Sequence, residues 1–258
     1  MSTATLLEKA YGNFSPQKLE SILHSLCKGL KTQLRFANIT KEGWIQIEAN
    51  GEDQKIALRY LDQKIGLAPI SKEKFARFSI LRGIIIQEKQ KLGLLVDIGV
   101  YSPKSVQIFI PLRSLQSQLV DGKKLALQQI KTLFCLQEHF PIKIKYLGFQ
   151  DGQETGELST EQVQFFAKWV TSRLERLIVF GCFLDEVEEA IRVSNCFRDV
   201  VKIEELGLLE NAVVCKLGTD AVGLIPKLGK TLPNATFAPF SPAKILNLIE
   251  ESSFESTC

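Results

Sequence analysis

Three features of this 258-residue chain gather residue types that do chemistry. In "CKLGTDAVGLIPKLG", residues 215–229, glycines surround Thr219-Asp220, with Lys216 and Lys227 close by. A helix starting there would present free amides to an anion, which makes Gly218, Thr219 and Lys227 a candidate anion site. The spacing is neither a P-loop nor a dinucleotide fingerprint, and a strand-to-helix turn capped by Thr219 or Asp220 explains the same residues. In "DEVEE", residues 185–189, Asp185, Glu188 and Glu189 share a helical face. Such a set could hold Mg²⁺ or exchange protons. Acids in a first helical turn more commonly complement the helix dipole. The six cysteines, at 27, 135, 182, 196, 215 and 258, form no C-x-x-C pair, and the only histidines are His24 and His139. That is poor material for zinc. Neither histidine sits in a Cys-His or Ser-His context, and no G-x-S-x-G occurs, so no nucleophile has an evident base. The residues read as a non-enzyme with no cofactor.

Charge is more informative by segment than in total. Residues 1–71 carry a net +2, residues 72–159 carry +5 and residues 160–258 carry −4, within an overall +3. The middle segment therefore concentrates cations: Lys72, Lys74, Arg77, Arg82, Lys89, Lys91, Lys104, Arg113, Lys123, Lys124, Lys143 and Lys145. These could track a phosphate backbone, or they could keep a lysine-rich surface solvated. The acidic last segment suits a protein partner. The apolar fraction of 45% argues for packed cores. No stretch approaches the ~18 apolar residues of a membrane span. The N-terminus shows no signal-peptide pattern. Scattered single cysteines suit a reducing, cytoplasmic compartment.

The elements that must position these residues fall into three groups. Residues 1–71 read as β-α-β-β-α with room for a last strand at 67–70, an order that suits a ferredoxin-like sandwich. Ser15 and Pro16 start its first helix, and Leu19, Ile22, Leu23, Leu26, Leu30 and Leu34 make its apolar stripe. Residues 72–159 read as five short strands with helical turns at 112–136 after the third, the order of an OB barrel, with a closing hairpin turning at Asp151-Gly152. Residues 160–258 open with a helix capped at Ser159 and lined by Val163, Phe166, Ala167, Val170 and Leu174. A second β-α-β-β-α-β unit follows, with Leu184, Val187, Ile191 and Ser194 inside its first helix and "TDAVGLIPKLGKTL" as its second. The tail from Ser252 is polar and expected to fray. The fold class is thus α+β, two ferredoxin-like sandwiches flanking a barrel.

Residues 80–159 resemble the S1 family of OB barrels. Gly83, Gly93, the run Val96-Asp97-Ile98-Gly99, "IPLRSL" at 110–115 and "IKIKYLGFQDGQETGELS" carry the likeness. The family resemblance implies RNA binding through stacked aromatics and basic side chains. Here Leu92 and Leu95 stand where those aromatics are expected, and Pro111 where a histidine is frequent, followed by Arg113. The chain as a whole resembles an archaeal family catalogued as domain-of-unknown-function family 2110, through "RLERLIVFGC" and "DEVEEAIRVSNCFRDVVKIEELGLLENAVVCKLGTDAVGLIPKLG". That resemblance implies the three-part architecture and no activity.

These readings together lead to an expectation of an RNA- or ribosome-associated, translation-related factor. Arg77, Arg82, Lys89, Lys91, Lys104, Arg113, Lys143 and Lys145 would contact phosphates by charge, without base stacking. The alternative is a protein adaptor whose barrel no longer binds nucleic acid.

Overall fold

The computed structural model describes residues 2–69, 75–87, 92–100 and 105–255. The N-terminal unit comprises β1 (Ser2–Lys9), α1 (Pro16–Leu26), β2 (Thr32–Ile39), β3 (Trp44–Gly51) and α2 (Gln54–Lys64). Its antiparallel sheet runs β1-β3-β2. Ser15 caps α1 by accepting from the Lys18 amide at 3.5 Å, and Pro16 takes the first helical position. Of the expected stripe Leu19 and Leu23 are fully buried, Ile22 and Leu26 are half-buried, and Leu30 and Leu34 lie beyond the end of α1; Leu19 and Leu23 pack with Leu6, Ile45, Ile47, Ala57 and Leu61. The expected strand at 67–70 is reduced, among the described residues, to a single bridge between Leu6 and Leu67. Ile70 lies outside the described residues.

The middle unit comprises β4 (Ile80–Ile86), β5 (Gly93–Asp97), β6 (Gln107–Pro111), α3 (Leu112–Leu119), α4 (Leu127–Phe134), β7 (Pro141–Gln150) and β8 (Gln153–Leu158). Its strands close into a barrel in the order β4-β5-β6-β8-β7, with β6 and β8 parallel. This arrangement is consistent with an OB-like fold. Alternation puts Ile85, Leu94, Val96, Ile108, Ile110, Ile142 and Ile144 inside. Their neighbours Ile80, Arg82, Leu95, Lys143 and Lys145 face outward.

The last unit comprises α5 (Thr160–Thr171), β9 (Arg176–Phe180), α6 (Leu184–Val193), β10 (Val200–Glu205), β11 (Glu210–Cys215), α7 (Ile225–Leu228), β12 (Thr236–Phe240) and α8 (Pro242–Glu255). Its antiparallel sheet runs β10-β11-β9-β12. Every residue of β9 is buried, because both sheet faces are covered. Leu177, Val179, Val213 and Cys215 pack under α6, while Ile178, Phe180, Ala212, Ala238 and Phe240 join the core of the barrel.

Four sequence expectations need correction here. The helix expected over 219–232 is broken: a single turn at Val222–Leu224 precedes the four residues of α7, with Gly223 and Pro226 in the run. The polar tail is helical to Glu255, and Lys123 of the barrel donates to the Leu248 and Ile249 carbonyls. In α5 the buried face is Gln162, Phe166 and Trp169, and Ala167 is exposed. The helix is wedged between barrel and sheet, so Gln162 accepts from the Lys143 amide (3.0 Å) while Trp169 packs edge-on to Phe240. In α6, Ala190 joins Val187 and Ile191 inside, with Leu184 and Ser194 half-buried.

Candidate nucleic-acid interface

The outer face of the β4–β7 ladder gathers the cations best. Register places Ile80 opposite Lys145 and Arg82 opposite Lys143. Just before β4 the chain turns tightly. Phe78 donates its amide to the Tyr146 carbonyl (2.7 Å), Ser79 to Ala76 (3.0 Å), and the Ser79 hydroxyl accepts from the Ala76 amide (3.1 Å). The turn holds Phe78 at φ 72°, a left-handed conformation that is uncommon for an aromatic residue. Its ring is 55% exposed. The Arg77 guanidinium lies 4.8 Å and the Lys145 ammonium 5.4 Å from its centroid. Ile80 and Phe149 are also exposed, at 50% and 64%. Under the turn, Phe75 packs edge-on to Tyr146, whose hydroxyl donates to Glu154.

Acids temper this cation row. Lys143 pairs with Glu161 at 2.7 Å and Lys145 with Glu157 at 3.2 Å. The Lys143 hydrogen bond holds the Glu161 carboxyl below its usual range. All four side chains keep substantial exposure, so solvent screens both pairs and a phosphate could displace them.

The structure thus brings together Arg77, Arg82, Lys143 and Lys145. Arg113 sits elsewhere, in the first turn of α3, where the Leu112 amide donates to Leu92. Lys89, Lys91 and Lys104 lie outside the described residues. On the β5–β6 face, Leu92 is 68% exposed and Leu95 half-buried. The ring there is Phe109, which packs against Gly93: a Cβ on Gly93 would fall 2.7 Å from it. Phe109 is only 9% exposed, so it offers a base little surface. Sequence reading missed Phe78, whose one signal is an aromatic between Arg77 and a strand start.

The loop of Gly218 and Thr219 uses its polar groups internally. The Thr219 amide donates to Lys216 (3.0 Å), the Val222 amide to the Asp220 carboxylate (2.9 Å), and Lys227 turns to Asp199 at 3.6 Å. "DEVEE" caps and docks. Glu186 accepts from the Phe183 amide (3.0 Å), and Lys18 of α1 reaches Asp185 (3.2 Å) and Glu186 (3.0 Å). Among the described residues, no group of three or more His, Cys, Asp or Glu is placed to hold a metal ion. The described cysteines, Cys27, Cys135, Cys182, Cys196 and Cys215, are buried and free. No described helix is long and apolar enough to cross a membrane.

Two comparisons bear on kinship. Residues 174–239 match a family model described as the DUF2110 C-terminal domain. That stretch begins just before β9 and ends within β12. A search of curated proteins finds no match to the chain.

Proposed function

We propose that this protein binds RNA through the outer face of its barrel, as a non-enzymatic, translation- or ribosome-associated factor. On this reading the barrel is S1-like, the end units are ferredoxin-like, and the whole chain is of the DUF2110 type. One observation carries the binding reading: an exposed aromatic ring, Phe78, held at a left-handed turn between Arg77 and Lys145. An aromatic face bordered by cations suits an unpaired base whose flanking phosphates are neutralised. Phe78 would accept the base, Arg77 and Lys145 the adjacent phosphates, and Arg82 and Lys143 the backbone beyond. This differs from binding by charge alone, which would show no preference for unpaired bases.

Fluorescence anisotropy of the full chain against a single strand, a hairpin and a duplex, at two salt concentrations, tests it. The single strand should bind best. Combined Arg77→Ala, Arg82→Ala and Lys145→Ala should lower the salt slope on a single strand by ~0.7 for each phosphate that is no longer neutralised. Undetectable binding at low salt would retire the proposal. A second reading, a protein adaptor, is favoured by the exposed apolar residues Val193, Phe197 and Val201 around α6 and β10, and would then take its place.

A further inference from the structure

The seam between the N-terminal and C-terminal units buries two carboxylates around one glycine. Glu8, on β1, is 5% exposed, and Glu210, at the start of β11, is 1% exposed. They converge on Gly207 of the β10–β11 turn: a Cβ there would overlap Glu210 Oε2 and lie 3.3 Å from Glu8 Oε1. One oxygen of Glu210 accepts from the Tyr11 hydroxyl, while Oε2 has no hydrogen-bond partner among the described residues. The Leu208 amide serves Glu8. Among the described residues, no neighbouring element supplies a cation. From β1, Lys9 is turned to Asp97 of the barrel at 2.8 Å. From the barrel, His139 stacks flat on Tyr11 (3.6 Å between centroids) with Nδ1 buried and unpartnered, and Glu138 adjoins it. Burial, with the charge of Lys9, lowers the pKa of the imidazole against the pull of Glu138. From β11, Asn211 is buried and uncharged.

Two adjacent anions without a cation are not sustainable in so dry a place. We propose that Glu8 and Glu210 share one proton across this seam, which makes docking of the N-terminal unit on the C-terminal unit a proton-dependent latch. The proton bridges facing carboxyl oxygens, and its loss leaves two like charges that push β1 from the β10–β11 turn.

The sign follows from the direction of the shifts. Burial pushes Glu210 from 4.5 up to about 7, and burial followed by the charge of Glu210 pushes Glu8 well up too. A raised carboxyl contributes stability that is complete below its unfolded pKa and lost as pH rises to the folded one. The latch is therefore tight near pH 4.5 and weakens as pH rises toward and past neutrality.

Hydrogen exchange on the full chain, corrected for intrinsic rates, reads this directly. Protection of β1 and residues 206–211 should fall as pH rises above 5, by about tenfold per pH unit for one shared proton, while β7 of the barrel holds. Glu8→Gln, which supplies a neutral side chain of the same shape, should flatten that profile. A flat wild-type profile would overturn the proposal whether or not the variant folds. A Glu8→Gln protein that folds and keeps the wild-type fall would overturn it as well.

Discussion

At the scale of single residues, Phe78 sets stability against function. A bulky side chain at φ 72° is strained by roughly 1 kcal/mol or more, and exposure of the ring returns little of that through burial. Glycine removes the strain and the ring together. Phe78→Gly should raise the thermal midpoint slightly while lowering single-strand affinity by about 1–3 kcal/mol, the worth of one stacked base. Calorimetry and anisotropy on one preparation check both signs. A variant that loses stability and keeps its affinity would show that the ring holds the turn and stacks nothing. Leu92→Ala should leave affinity unchanged, since Leu92 lies beside β5–β6, away from the cation row.

At the scale of elements, packing decides what the sequence can reveal. Val187 is fully buried between α6 and β9–β11, so Val187→Asp places an unpaired charge in that core. Its cost of about 3–4 kcal/mol should lower the midpoint by about 10 °C. A retained midpoint, read by circular dichroism, would place Val187 on the wrong face. The barrel strands were legible because Leu94, Val96, Ile108 and Ile110 alternate with outward residues and because Gly83 and Gly93 mark close approaches. The buried face of α5 was not, since Gln162 reads as polar until its amide meets Lys143 and Trp169 faces a sheet remote in sequence. The helix over 219–232 looked continuous by apolar spacing, but Pro226 and the glycines break it into single turns. Site legibility divides the same way. Arg77, Arg82, Lys143 and Lys145 follow from composition, whereas the meeting of Glu8 with Glu210 and of Tyr11 with His139 depends on how three units dock.

At the scale of the whole molecule, the barrel and the last unit share a core. Phe134 and Phe140 of the barrel unit run without a break into Phe166, Trp169, Phe180 and Phe240 of the last unit, ring centroids 5.1–6.5 Å apart. Excising residues 75–159 would strip cover from Phe134 and Phe140, so that fragment should bind hydrophobic dye and lack a cooperative transition, whereas 75–255 should melt in one step. Two separate transitions in 75–255 would contradict a shared core. The N-terminal unit has a core of its own and docks through mixed contacts: Lys9 to Asp97, Lys18 to Asp185 and Glu186, the rings of Tyr11 on His139 and Phe14 near Phe183, and Gly12 against Gly181, where a Cβ on Gly12 would lie 2.5 Å from the Gly181 Cα. The RNA binding proposed for the exposed β4–β7 face is therefore to be tested on the intact chain. Ultraviolet crosslinking of the full chain to a uridine-rich single strand, with the attached peptide read by mass spectrometry, locates the bound base without a substitution. A base stacked on Phe78 should crosslink to residues 78–82, the tryptic peptide between Arg77 and Arg82 that opens with Phe78. Crosslinks confined to residues 160–258, or none at low salt, would contradict binding on this face.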